Sequence, residues 1–208
     1  MALLCKHNAC KQPLVQGGDL AGAYNRVVKG QYAYTASVQK LLQDYGNESI
    51  TAIQVQRTPI VGSSVVERLG ILKNKPYDEL FHLYMILTLS DGTTQINVEK
   101  TSVIAMSKNE PTRAGAETKN VKNVPNVTLN ELMENGRKKM GDTKWWTYSA
   151  IKNNCQSFLL GICTGSNFGG KGTKVFIKQD VTQLLGKTAQ KGLNNITSLV
   201  GAFSTLKD

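Results

Sequence analysis

Apolar positions in this chain switch between a period near 3.6 and a period of 2, and the switches mark its elements. Val38, Leu41, Leu42 and Tyr45 recur at helical spacing, with Thr35 or Ser37 available as a cap and Gly46 as a stop, so a short amphipathic helix is predicted. Ile53 and Val55 alternate with Gln54 and Gln56 up to Pro59, the pattern of a half-buried strand. Ser63 or Ser64 can cap a further short helix carrying Val65, Val66 and Leu69. Two strand-like runs then flank Ser90-Asp91-Gly92-Thr93, where Asp-Gly predicts a tight type I′ hairpin. That turn pairs Leu87 with Ile96, Tyr84 with Glu99 and His82 with Thr101. Leu83, Met85, Leu87, Ile96 and Val98 then share one face, and His82, Tyr84, Asn97 and Glu99 share the other, more polar one.

Residues 107 to 127 hold Pro111, Gly115, Asn120 and Pro125 with few large apolar groups, which reads as an exposed connection. Thr128-Leu129-Asn130-Glu131 spells a capping box opening a helix to about Met140, closed by Gly141. After the cluster Trp145-Trp146-Thr147-Tyr148, the amides Asn153 and Asn154 precede a helix with Phe158, Leu159 and Ile162 on its apolar side. Gly165 to Gly172 reads as a flexible loop and Val175-Phe176-Ile177 as a short strand. Residues 181 to 208 read as an amphipathic helix, with Leu184, Leu185, Leu193, Ile196, Val200 and Phe203 along one face. The organisation expected is a flexible entry segment over 1–30, one domain over 31–180, and the C-terminal helix over 181–208.

Composition narrows the function classes. A chain of 208 residues, 40% of them hydrophobic, can bury the core of one substantial domain. The net charge of +10 is spread along the chain, and no aromatic-basic recognition module accompanies it, so no specific nucleic acid is expected. No run of about 18 residues is apolar enough to span a bilayer. The start Met1-Ala2-Leu3-Leu4-Cys5-Lys6 is too short for a signal-peptide core. The expectation is therefore an intracellular location with Cys5, Cys10, Cys155 and Cys163 as free thiols. Cys5, His7 and Cys10 make only half a zinc site, with no second paired cluster. Gly165 to Thr173 approaches a phosphate-binding loop, but Gly172 stands where a hydroxyl should follow Lys171, and the loop is read as leading from a helix into a strand. Neither a metal nor another cofactor is expected.

The candidate chemistry centres on Cys155. Unpaired amides and the macrodipole at a helix N-terminus favour a thiolate, and Asn154 is placed to cap that helix. The structural alternative is that Cys155 is simply a small buried hydrophobe. A cysteine nucleophile needs a base, and His7 and His82 are the two histidines of the chain. His82 opens a strand and becomes the partner of choice. Glu99, one diagonal step away on the hairpin, is the first candidate to orient the imidazole, with Asn97 in reserve. For the oxyanion, the Cys155 backbone amide is a donor, and Tyr84 or Gln156 could supply a second.

The Asn-Cys-x-x-Phe stretch Asn154-Cys155-Gln156-Ser157-Phe158, with an upstream histidine at the head of a strand, resembles the circularly permuted papain-like fold. That group includes lecithin:retinol acyltransferase and its phospholipase/acyltransferase relatives and is related to NlpC-type cell-wall hydrolases. The resemblance covers about residues 77 to 179. It implies an α+β fold with an antiparallel sheet and a packed cysteine-bearing helix, and a hydrolase or acyltransferase working through an acyl-thioester on Cys155. Substrates across that superfamily include amide, thioester and lipid-ester bonds. Gln156 and Ser157 depart from the acidic residue and histidine that follow the cysteine in the retinol acyltransferase relatives. The lead-in Tyr77-Asp78-Glu79-Leu80-Phe81-His82 and the segment Phe176-Ile177-Lys178-Gln179-Asp180 also resemble uncharacterised virus-encoded proteins. This implies host cytoplasm or virion as location and, as the alternative function, a non-enzymatic virion-associated protein. In that reading residues 181 to 208 dock on a second copy, on a capsid protein or on a membrane.

Overall fold

The computed structural model describes residues 32–59, 81–149 and 153–178. The chain is mixed α+β, built on a five-stranded antiparallel sheet with helices packed against one face. Helix α1 (Ala36–Tyr45) starts at Thr35, whose side chain accepts from the Val38 amide, and ends at Gly46. Strands β1 (Ile50–Pro59), β2 (Phe81–Leu89), β3 (Gln95–Lys100), β4 (Ile104–Lys108) and β5 (Glu117–Asn120) follow, in the spatial order β4-β3-β2-β1-β5. Four helices complete the described chain: α2 (Leu129–Met140), α3 (Asp142–Trp146), α4 (Cys155–Gly165) and α5 (Lys171–Ile177). The helix expected near residues 63–69, the entry segment 1–30 with Cys5, His7 and Cys10, and the helix expected over 181–208 lie outside the described residues.

The β2–β3 register pairs Tyr84 with Glu99 and Leu87 with Ile96, as the hydrophobic alternation requires. The connecting loop is longer than a two-residue turn. Leu89 and Thr94 still bond across it, and the Asp91 carboxylate holds it by accepting from the amides of Thr93 and Thr94 and from the Thr94 hydroxyl. Gly92 has positive φ, whereas a type I′ turn needs it at both central residues. The register survives because two residues leave the loop's ends symmetrically.

Three other elements differ from the sequence pattern. Strand β4 was not marked by the pattern, and β5 lies inside the supposed connection with all four residues exposed. Backbone pairing of Gln54–Arg57 with Glu117–Asn120 makes β5 an edge strand, and an edge held by main-chain bonds needs no apolar alternation. Val175-Phe176-Ile177 belongs to a helix rather than a strand. Thr173 and Ile177, four apart, are buried while Val175 is exposed, so packing on one helical face overrides the β-branched composition.

The core lies between the sheet and the helices. Ile53, Val55, Leu83, Met85, Leu87, Ile96 and Val98 face it from the strands, and Val38, Leu129, Leu132, Phe158, Leu159 and Ile162 from the helices. Thr128 and Glu131 form both halves of the capping box of α2. Helices α2 and α4 approach closely at glycines: a Cβ on Gly165 would stand 2.3 Å from the Asn135 carbonyl oxygen, and one on Gly161 2.4 Å from Met140 Cγ.

Candidate active site

Strand β2 places His82 near its beginning, on the face opposite the core, and β3 places Glu99 one diagonal step away. His82 Nε2 and Glu99 Oε2 are 2.5 Å apart, with both side chains about 15% exposed. Such a short contact in a dry setting is a charge-assisted hydrogen bond. The other group that acts on the ring is Cys155, both as a hydrogen-bonding neighbour and through its charge. Burial acts most strongly on this imidazole and would lower its pKa. The hydrogen bonds to Cys155 and Glu99 and the charges of both outweigh it, so the pKa rises to about 9. The ring is thus held as an imidazolium.

Cys155 is the first residue of α4. Asn154 caps this helix, its side-chain oxygen accepting from the amides of Gln156 and Ser157 at 3.1 and 3.3 Å. The cap satisfies those two donors locally. The Cys155 residue is 6% exposed, so a reacting carbonyl must displace covering groups to reach the sulfur. Cys163, about two turns further along the same helix, is also a free thiol, and burial pushes its pKa up to about 12. Position at the helix N-terminus and its influence on His82 separate Cys155 from Cys163.

Arg113 has no signal in the sequence pattern, yet it completes the arrangement. From the loop before β5, its guanidinium donates through Nη1 to Glu99 Oε2 at 2.9 Å and through Nη2 to Glu99 Oε1 at 2.8 Å. The same group lies over the Tyr84 ring, 4.4 Å from its centroid. Burial would raise the Glu99 pKa, but the His82 and Arg113 bonds overcome it and hold the carboxyl at about 2. Arg113 therefore keeps Glu99 ionised and fixed, and Glu99 in turn fixes the imidazole.

The reserve candidates fall elsewhere. Asn97 donates through Nδ2 to Glu110 Oε2 at 2.9 Å, so it does not meet the histidine, because it stands one further pair along β3. Tyr84 stacks beside His82 with ring centroids 6.4 Å apart. Its electrostatic partners are Arg113, Glu99 and Glu110, which sets it behind the acid and not at the thiol. The Gln156 amide is engaged by the Asn154 cap, and the residue is buried. Tyr148 is the aromatic the sequence reading noted only as part of a cluster. Burial and the Cys155 charge both raise its pKa, so it remains a protonated phenol with an O–H to donate. A bridge between Ser149 and Asn153, with reciprocal amide bonds of 3.0 and 2.9 Å, joins the backbone after Tyr148 to the residues that precede Cys155.

A cavity of about 280 Å³ opens on the flank of α4, lined among others by Lys139, Lys144, Ser157 and Thr164. Cys155, His82 and Glu99 do not line it. Among the described residues no group of three His, Cys, Asp or Glu could hold a metal ion, and no helix is long and apolar enough to cross a membrane. The glycine-rich segment after α4 leads into helix α5 and not into a strand, which corrects one reason for setting nucleotide binding aside. Gly172 still replaces the magnesium-binding hydroxyl, and the loop still follows a helix where a phosphate-binding loop follows a strand. The chain matches no family model, no curated protein and no solved structure among those compared.

Proposed function

We propose that the protein is a cysteine-dependent hydrolase or acyltransferase with a permuted papain-like fold. The observation that carries this reading is the hydrogen-bonded chain His82–Glu99–Arg113, whose imidazole is also acted on by Cys155 at the N-terminus of α4. In the reaction, the Cys155 sulfur attacks the carbonyl carbon of an amide, thioester or ester and the carbonyl π pair moves onto oxygen. The Cys155 backbone amide and the Tyr148 hydroxyl are the donors this reading assigns to that oxygen. Collapse expels the leaving group, which takes the proton from the His82 imidazolium, and leaves an acyl-thioester on Cys155. Neutral His82 then deprotonates water or an acceptor hydroxyl or amine as it attacks the thioester carbonyl carbon; the carbon–sulfur bond breaks, the acyl group leaves on the acceptor, and the Cys155 sulfur and the His82 imidazolium are returned. Glu99 stays ionised throughout and stabilises the imidazolium.

Labelling with an acyl-type thiol probe tests the reading, with modified cysteines located by mass spectrometry. Cys155 should label far faster than Cys163, and His82→Ala should abolish the difference. Equal slow labelling of both thiols would leave Cys155 as a core residue and favour the non-enzymatic interaction protein.

A further inference from the structure

Lys100 follows Glu99 on β3 and, by the alternation of the strand, faces the core beside Val98 and Ile96. It is fully buried. Its Nζ lies 5.7 Å from the centre of the Phe158 ring and donates to the Lys144 backbone carbonyl at 2.7 Å. No carboxylate among the described residues lies within ion-pair distance of it, and burial alone pushes its pKa down to about 7. A methionine or leucine would fill such a place without the desolvation penalty of an amine. What the amine supplies is a bond to one particular carbonyl.

That carbonyl is a hub. It also accepts from Asn153 Nδ2 at 2.7 Å, and the same Nδ2 reaches the Thr147 carbonyl at 2.7 Å. Asn153 is paired through its backbone to Ser149, and the next residue, Asn154, caps the helix that begins at Cys155. Lys100 therefore ties β3 to α3 and, through the carbonyl it shares with Asn153, to the residue that precedes the Asn154 cap of α4. Consecutive residues of one strand then serve the two halves of the pair, Glu99 holding the base and Lys100 the nucleophile's helix.

We infer that Lys100 is a positioning residue for Cys155, fixing the start of α4 against β3 so that the thiol meets the His82 ring. The inference rests on the function proposed above and is tested without a substrate. Lys100→Met keeps the volume and removes the donor. The expected result is a protein as thermally stable as the parent in which Cys155 alkylation by iodoacetamide slows by about tenfold, the scale of one lost hydrogen bond to a charged group. The His82 ring should also titrate below its parental midpoint of about 9, because the thiol contact is weakened while Glu99 remains. A variant that only lost packing would not move that titration. Unchanged alkylation and an unchanged His82 midpoint overturn the inference. Should Lys100→Met fail to fold, Asn153→Ala decides, since it removes the other donor to the same carbonyl: an unmoved Cys155 rate and His82 titration overturn the inference. Cys155→Ala separates the two levels. If it leaves the His82 titration where it was, thiol and imidazole are not a pair, and the proposed function fails together with this inference.

Discussion

Glu99→Gln isolates the electrostatic part of the site from its shape. Glutamine keeps the length of the side chain and an oxygen for Arg113, but it removes the charge 2.5 Å from His82 Nε2. A hydrogen bond between charged groups at a site this dry contributes about 1.5–3 kcal/mol, and each pKa unit corresponds to about 1.4 kcal/mol. The carboxylate therefore accounts for about one to two units of the His82 pKa, and the midpoint should fall from about 9 to roughly 7–8. The freed Arg113 charge acts in the same direction. A ring-proton NMR titration reads this directly, because His7 is the one other histidine of the chain. Turnover of an acyl probe should slow by roughly 10 to 1,000-fold, the range over which third members of such units vary. A midpoint that stays at about 9 would refute the reasoning, since the thiol alone would then be holding the proton.

Stability should depend on pH through the same pair. Folding raises the His82 pKa from 6.5 to about 9, so its contribution is complete below about pH 6.5 and is lost as pH rises through about 9. Folding lowers the Glu99 pKa from 4.5 to about 2, so that contribution is present above about pH 4.5 and is lost as pH falls through about 2. Thermal melts of the parent should show losses at both ends, and His82→Ala should flatten the alkaline one; an alkaline limb of equal slope in that variant would contradict the pairing. Cys155→Ala should abolish probe turnover with little change in thermal midpoint, whereas His82→Ala should abolish it and also lower the midpoint below pH 9, because it removes the partner of buried Glu99; in turnover the double variant should be no worse than either, as for residues acting as one unit, and additive losses would argue against a unit. Gly165→Ala should destabilise by about 1–3 kcal/mol in urea unfolding, because its Cβ meets the Asn135 backbone. Gly161→Ala should cost less, since it meets the flexible Met140 side chain, and the reverse order would show that α2 and α4 pack differently.

What the sequence determined by itself is local and periodic. Alternation along residues 82 to 89 and 95 to 100 sets the β2–β3 register, and with it the diagonal that brings Glu99 to His82. Thr128 with Glu131, and Asn154 before Cys155, start α2 and α4 where their side chains can reach the first free amides. These features need only a few neighbouring residues, so they can be read in order. The permuted topology proposed for the fold rests on the same short motifs.

The tertiary structure decided the rest. Arg113 braces Glu99 from a loop whose path no periodicity encodes, and Lys100 looks like a strand-end charge until the fold buries it. Tyr148 comes under the influence of the Cys155 charge only in the folded chain, where a backbone bridge closes between Ser149 and Asn153. Strand β5 exists through main-chain bonds to β1, which are blind to side-chain type, and α5 takes its form from the face it buries. In each case the deciding energy comes from a partner distant in sequence: a carboxylate for Arg113, a carbonyl for Lys100, a sheet edge for β5. A residue's own neighbours carry no record of that partner, so its role appears only when the chain is folded.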